Sequence, residues 1–127
     1  MTIISLSIPD EMLRQLDRLV KDGGYGGRSD ALRQGVKMLS EEHRRQKAVS
    51  GRVSGAMLLV HDEDDEDAFS HAKHGHESLI KTLIHNQLGG GKCLEVFILE
   101  GEASEVESLV RMCRKSGKAQ YLKTLLA

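Results

Sequence analysis

Residues 2–8, TIISLSI, read as a strand with nothing nearby in the chain to pair with. Ile4, Leu6 and Ile8 alternate with Ile3, Ser5 and Ser7, which is the period of a half-buried strand with one hydroxylated face. Pro9 can open a helix because no amide donor is needed there, and Leu13, Leu16, Leu19 and Val20 then recur at helical spacing. The run GGYGG at 23–27 breaks that helix, Ser29 is placed to cap a second one, and Leu32, Val36 and Leu39 mark its apolar stripe before the charged stretch EEHRRQK. One strand and two helices in about 40 residues bury too little apolar surface to stand alone. Antiparallel pairing with the same strand of a second copy would give each strand a partner and put two copies of Ser5 and Ser7 on one exposed ribbon.

The remaining two-thirds follow another pattern. VSGAMLLV reads as a strand, HDEDDEDAFSHAKHGH as an acidic connection or helix, LIKTLIHNQL as a strand, GGG as a turn and CLEVFIL as a further strand. Val106, Leu109, Val110 and Cys113 form a helical stripe closed by Gly117, and AQYLKTLL ends the chain as a strand. The order β-α-β-β-α-β is the ferredoxin-like split pattern, and at this size the segment resembles an ACT-type regulatory domain. The chain is thus read as α+β, with a βαα unit at 1–48 and a βαββαβ domain at 53–127. The acidic run Asp62 to Asp67 is read as a solvated helix start rather than a metal site.

Four of the six histidines fall between residues 71 and 85, close to Cys93. A hairpin turn centred on Gly89 sets Ile80 opposite Ile98, Thr82 opposite Val96 and Ile84 opposite Leu94, an apolar face expected to lie against the helices. The other face carries Lys81, Leu83, His85 and Gln87 against Phe97, Glu95, Cys93 and Gly91, making His85 and Cys93 direct cross-strand neighbours. An imidazole and a thiol with Cβ atoms about 5 Å apart can share one transition-metal ion. Nickel, copper, cobalt and zinc all suit that pair. Glu95 is placed to accept a hydrogen bond from a ligating histidine. His74 and His76 lie upstream of this strand and would complete the site by folding back or from another subunit. Cys113 belongs to the apolar helical stripe and is read as core, while His43 and His61 have no constellation around them.

Composition narrows the function classes. With 39% apolar and 29% charged residues the chain is an ordinary globular sequence, but only 3% is aromatic and tryptophan is absent, so base stacking has little to work with. No apolar run approaches the roughly 20 residues that span a bilayer, and no secretory signal pattern opens the chain, so a cytoplasmic protein with reduced thiols and no membrane contact is expected. Residues 1–52 carry ten Lys or Arg against seven Asp or Glu, a mild basic bias compatible with phosphate contact. No nucleophile stands beside a base and no general-acid pair is apparent, which argues against an enzyme.

The stretches SLSIPDEMLRQLDRLV and GYGGRSDALRQGV resemble the ribbon-helix-helix family of DNA-binding dimers. That resemblance implies a two-stranded ribbon in the major groove, with Ser5, Ser7 and residue 3, here Ile3, facing base edges. It also implies a phosphate held at the start of the second helix, around Gly27, Arg28 and Ser29. Joined to the ACT-like domain and the His/Cys hairpin, the whole chain is similar to the nickel-responsive transcriptional regulators. The resemblance implies a homotetramer built as a dimer of dimers, acting on double-stranded operator DNA. Its metal site would take His85, Cys93 and, from a neighbouring subunit, His74, eleven residues before His85. The family's second strand histidine falls on Gln87. That departure leaves four outcomes open: nickel with Gln87 or water in the fourth position, nickel with His76 recruited, cobalt or zinc in altered geometry, or a site that has lost metal control. In the last case an RHH–ACT regulator would respond to a small molecule at the ACT interface instead. An antitoxin-like partner-binding protein is a third reading, set against the regular folded pattern of the C-terminal part.

Overall fold

The computed structural model describes residues 1–127, which form two compact units, Met1–Gln46 and Lys47–Ala127. In the first unit residues 1–9 form no hydrogen-bonded strand, and Ile3 is 93% exposed. The expected strand has no partner within one chain, so no ladder forms. Helix α1, Asp10–Gly23, begins after the extended Pro9, whose carbonyl accepts the first helical bond from the Leu13 amide at 3.1 Å. Asp10 and Glu11 in its first turn favour the positive dipole end, and Gly24, at φ 72°, closes it in the left-handed conformation.

Helix α2, Arg28–Lys47, starts two residues earlier than Ser29 capping would require. Gly27, at φ 141°, occupies the flanking position and accepts the Ala31 amide at 3.0 Å. Ser29 therefore lies inside the first turn, and the Asp30 carboxylate accepts the Gly26 amide at 2.8 Å, steadying the preceding turn. No residue of α2 is buried, and Leu39 on its apolar stripe is 73% exposed.

The second unit is a four-stranded antiparallel sheet in the order β2-β3-β1-β4, with β1 Arg52–Asp62, β2 Ile80–Leu88, β3 Lys92–Glu102 and β4 Tyr121–Leu126. The sequence leaves the connection after β1 open between an acidic linker and a helix. The connection is a 3-10 segment, Glu63–Phe69, followed by one helical turn, α3, Ser70–His74. Six consecutive acids repel one another along a helix, and the buried Phe69 ring anchors the segment to the core. Helix α4, Ala103–Lys115, packs Val106, Leu109 and Cys113 into the same core as Met57, Leu59 and Phe97. Gly55 lets β4 approach β1, since a Cβ there would lie 2.0 Å from the Leu125 carbonyl oxygen.

Two features of the hairpin differ from expectation. Its turn centres on Gly90, with Gly90 and Gly91 both left-handed, so His85 pairs with Glu95 and Gln87 with Cys93. The helix-covered face of β3 is also the opposite one: Cys93, Glu95, Phe97 and Leu99 point inward, while Leu94, Val96 and Ile98 point away. Both faces carry apolar side chains, and the buried Glu95 charge is tolerated because His61 and Lys73 meet it. The outer face, with Ile84 opposite Val96 and Leu125 opposite Ala56, is left without a covering layer in the single chain. Because the Phe97 ring is fully enclosed, Phe97→Ala should cost about 3–5 kcal/mol in denaturant unfolding. A loss below about 1 kcal/mol would contradict the inward placement of this ring.

Candidate metal centre and nucleic-acid interface

Cys93 occupies the middle of the candidate centre. On one side its cross-strand partner is Gln87 on β2; on the other it is His61 on β1. His85 sits one pair along, opposite Glu95, and all five side chains share the inner face of the sheet. That face runs out beyond the helices at the edge strand β2, so Gln87 is exposed and His85 partly so, whereas His61, Cys93 and Glu95 are buried. The acidic 3-10 segment flanks the exposed edge. The Gln87 amide nitrogen donates to Glu63 Oε1 at 3.1 Å, and Glu66 Oε1 lies 3.3 Å from His85 Nδ1.

Burial pushes the Cys93 thiol above its ordinary range, and the negative charges of Glu63, Glu66 and Glu95 push the same way, opposed by Lys73. The thiol is held as a neutral, small apolar group when no cation faces it. Glu95 accepts from Lys73 Nζ on α3 and lies 2.7 Å from His61 Nε2, while His61 Nδ1 lies 2.7 Å from the Asp62 carbonyl oxygen. The His61 ring also packs on Phe69, with centroids 4.8 Å apart, and its centroid is 6.2 Å from that of His85.

The structure brings His85, Gln87, Cys93 and Glu95 together, though not with His85 directly facing Cys93. His74 ends α3 exposed at the surface, 3.2 Å from Glu77 Oε1. His76 is buried with both nitrogens engaged, at 2.7 Å from the Ala72 carbonyl and 3.1 Å from Ser108 Oγ, and it ties the α3 turn to α4. His61, which has no constellation around it in the sequence, stands beside Cys93 on the inner face. Its signal was parity, since it falls on the inward set of β1 with Met57 and Leu59. Cys113 is enclosed in the core, and burial raises its thiol to about 11. No three His, Cys, Asp or Glu side chains are gathered closely enough within one chain to hold an ion. The adjacent thiol and imidazoles suit a transition metal in kind, as part of a set that closes only with movement or with donors from a second copy.

At the other unit, Ser5 and Ser7 are exposed on the segment before Pro9, beside Ile3. Arg28 forms a two-pronged pair with Asp17, Nε to Oδ1 at 2.8 Å and Nη2 to Oδ2 at 3.0 Å, which fastens the start of α2 to α1. The hydrogen bonds of this pair lower the Asp17 carboxyl and raise the Arg28 guanidinium. Ser29 stands at the positive end of α2, next to that pair.

Reactivity gives a check on the thiols. In metal-free protein both Cys93 and Cys113 should alkylate with iodoacetamide more slowly than free cysteine at pH 7.5, with rates climbing only above about pH 9. Fast modification of Cys93 at neutral pH would contradict its enclosed, anionic surroundings.

Comparison with known proteins bears on what this arrangement serves. Residues 2–42 match the family described as "Ribbon-helix-helix protein, copG family", and residues 54–126 match that described as "NikR C terminal nickel binding domain". A protein of Halobacterium salinarum named "Putative nickel-responsive regulator" is 32% identical over 117 residues, covering 90% of this chain and 82% of that protein. One of the same name from Methanococcus maripaludis is 28% identical over 127 residues, covering 97% and 90%. Among solved structures, the ACT domain from GTP pyrophosphokinase of Chlorobium tepidum is similar at TM-score 0.43 and 15% identity, over 61% of this chain and 100% of that one. No helix is long and apolar enough to cross a membrane. With one family matched over more than half of its length and a relative matched over most of both sequences, the chain belongs to the nickel-responsive regulators, a family of ribbon-helix-helix transcription factors and not of enzymes.

Proposed function

We propose that this protein is a transcriptional regulator whose grip on a specific double-stranded operator is controlled by a divalent transition metal, nickel first, with cobalt and zinc as competing ions. The observation that carries this reading is the placement of His85, Gln87 and Cys93 on one face of adjoining strands, with a soft thiol beside imidazole. His85 and Cys93 hold the ion, and His74, exposed at the end of α3, reaches it from a second copy. When bound, the metal supplies positive charge and directional bonds that join strands of one chain to its neighbour.

The chain's own groups set the terms of binding. Cys93 must give up its proton, and the same burial and acidic neighbours that raise its thiol make the thiolate welcome only when a cation is present. His76 stays with Ala72 and Ser108 and keeps the α3 turn in place, while Gln87 steadies the 3-10 segment through Glu63. Self-association follows from the surfaces one chain leaves open. Residues 2–8 pair with their copy to make the ribbon and cover the α1 and α2 stripes, and the outer sheet face of the second unit packs on another copy, giving a dimer of dimers. Two ribbons on one operator bind by linkage, so a metal that favours the arrangement in which both reach DNA raises affinity without touching DNA.

On the ribbon, Ser5 and Ser7 carry base contact and Ile3 adds an apolar one. Because Asp17 holds the Arg28 side chain, the phosphate contact at the start of α2 falls mainly to the backbone amides near Gly27 and Ser29. The test uses duplexes selected from a random pool by the nickel-loaded full chain, followed by anisotropy titrations with and without each metal. Nickel should tighten binding roughly 5- to 150-fold, the usual range of allosteric coupling. Cys93→Ser should remove that gain, and Ser5→Ala with Ser7→Ala should remove the preference for the selected duplex over random sequence. Equal affinity with and without every metal, or a preference untouched by the serine changes, would overturn the corresponding half of the reading.

A further inference from the structure

We infer that His61 on β1 supplies the imidazole that Gln87 does not, so that the ion sits among donors from three strands instead of two; this rests on the metal reading above. Cys93 has a cross-strand neighbour on each side. The β2 neighbour is Gln87, a neutral amide engaged by Glu63, and the β1 neighbour is His61. Directly paired residues on one sheet face have Cβ atoms about 5 Å apart, which is the spacing at which a thiolate and an imidazole share an ion. Both side chains are fully buried on the same face, so neither is a chance surface residue.

The third donor is also within reach. A metal–nitrogen bond is about 2 Å, so one ion bonded to two imidazoles keeps their ring centroids within about 6.4 Å of each other. The His61 and His85 centroids are 6.2 Å apart in the metal-free chain. Only small movements are then needed: His85 leaves the exposed Glu66 carboxylate, and His61 gives one ring nitrogen to the ion while an oxygen partner keeps the other. A buried carboxylate that orients a ligating imidazole is a recurrent support for metal sites, and Glu95, itself fixed by Lys73, is placed to be one. The donor count of three imidazoles and one thiolate is thereby kept, with His74 of a second copy, even though one imidazole has moved from β2 to β1.

A double-mutant cycle on the full chain with cobalt(II) as the probe separates ligation from a merely structural His61. The near-ultraviolet thiolate-to-cobalt band reports Cys93, and competition against a chelator gives the dissociation constant. His61→Gln should keep the band but weaken binding at least about tenfold. Gln87→His should tighten binding more than about tenfold in the His61→Gln background and less than about threefold in the wild type, because only there is the position redundant. Equal gains in both backgrounds, or unchanged affinity of His61→Gln, would overturn the inference while leaving the metal reading intact. Absence of the band in the wild type would overturn the metal reading itself, and this inference with it. Should His61→Gln fail to fold, X-ray absorption of the cobalt-loaded wild type decides: three imidazoles support His61, two refute it.

Discussion

A carboxylate enclosed in an apolar core is costly unless partners meet its charge, and here that carboxylate is Glu95 at the centre of β3. Lys73 from the α3 turn and His61 from β1 meet it, so one buried group ties the middle of the sheet to two other elements. Its inward direction decides much else. Side chains alternate along a strand, so an inward Glu95 makes Cys93, Phe97 and Leu99 inward as well, and the same parity carries His85 and Gln87 to that face across the hairpin. The core and the candidate metal centre are therefore two ends of one strand face, apolar under α4 and polar where the helices give way to the acidic 3-10 segment.

Apolar side chains remain open in each unit taken alone. In the first unit the stripe on α2 has no buried member, and residues 2–8 have no strand to join. In the second, the sheet is covered on one face only, with Leu125 64% exposed on the other. Patches of this kind are stable when a second copy covers them. The proposed coupling of metal to DNA needs that assembly, because the residues proposed for the ion and those proposed for the operator lie in different units of the same chain.

The two N-terminal helices and the strand order of the second unit were legible in the sequence, as was the sharing of a face by His85, Gln87, Cys93 and Glu95, because two-residue alternation survives any even shift of register. The register itself was not legible. Three consecutive glycines let the turn centre on Gly89 or Gly90 at little local cost, and the choice is made by strand pairing along β3. The inner face was misjudged because an acid on a strand argues for solvent, and nothing local shows that Lys73 and His61 will come within hydrogen-bond distance of it. His61 lies 32 residues before Cys93, and their pairing exists only once β1 and β3 form a ladder, a long-range fact that no local pattern contains. The cap of α2 was missed by a shorter margin, since Gly27 can adopt a backbone angle that Ser29 was not needed to support.

The most direct test of a metal centre built on Cys93 is a nickel titration of the metal-free full chain, followed through thiolate-to-nickel absorption and proton release at fixed pH. The account predicts saturation at one ion per chain, a charge-transfer band that grows in step with occupancy, release of the Cys93 proton, and loss of both signals in Cys93→Ser. Nickel bound at the same stoichiometry and affinity by Cys93→Ser would place the ion elsewhere and contradict it.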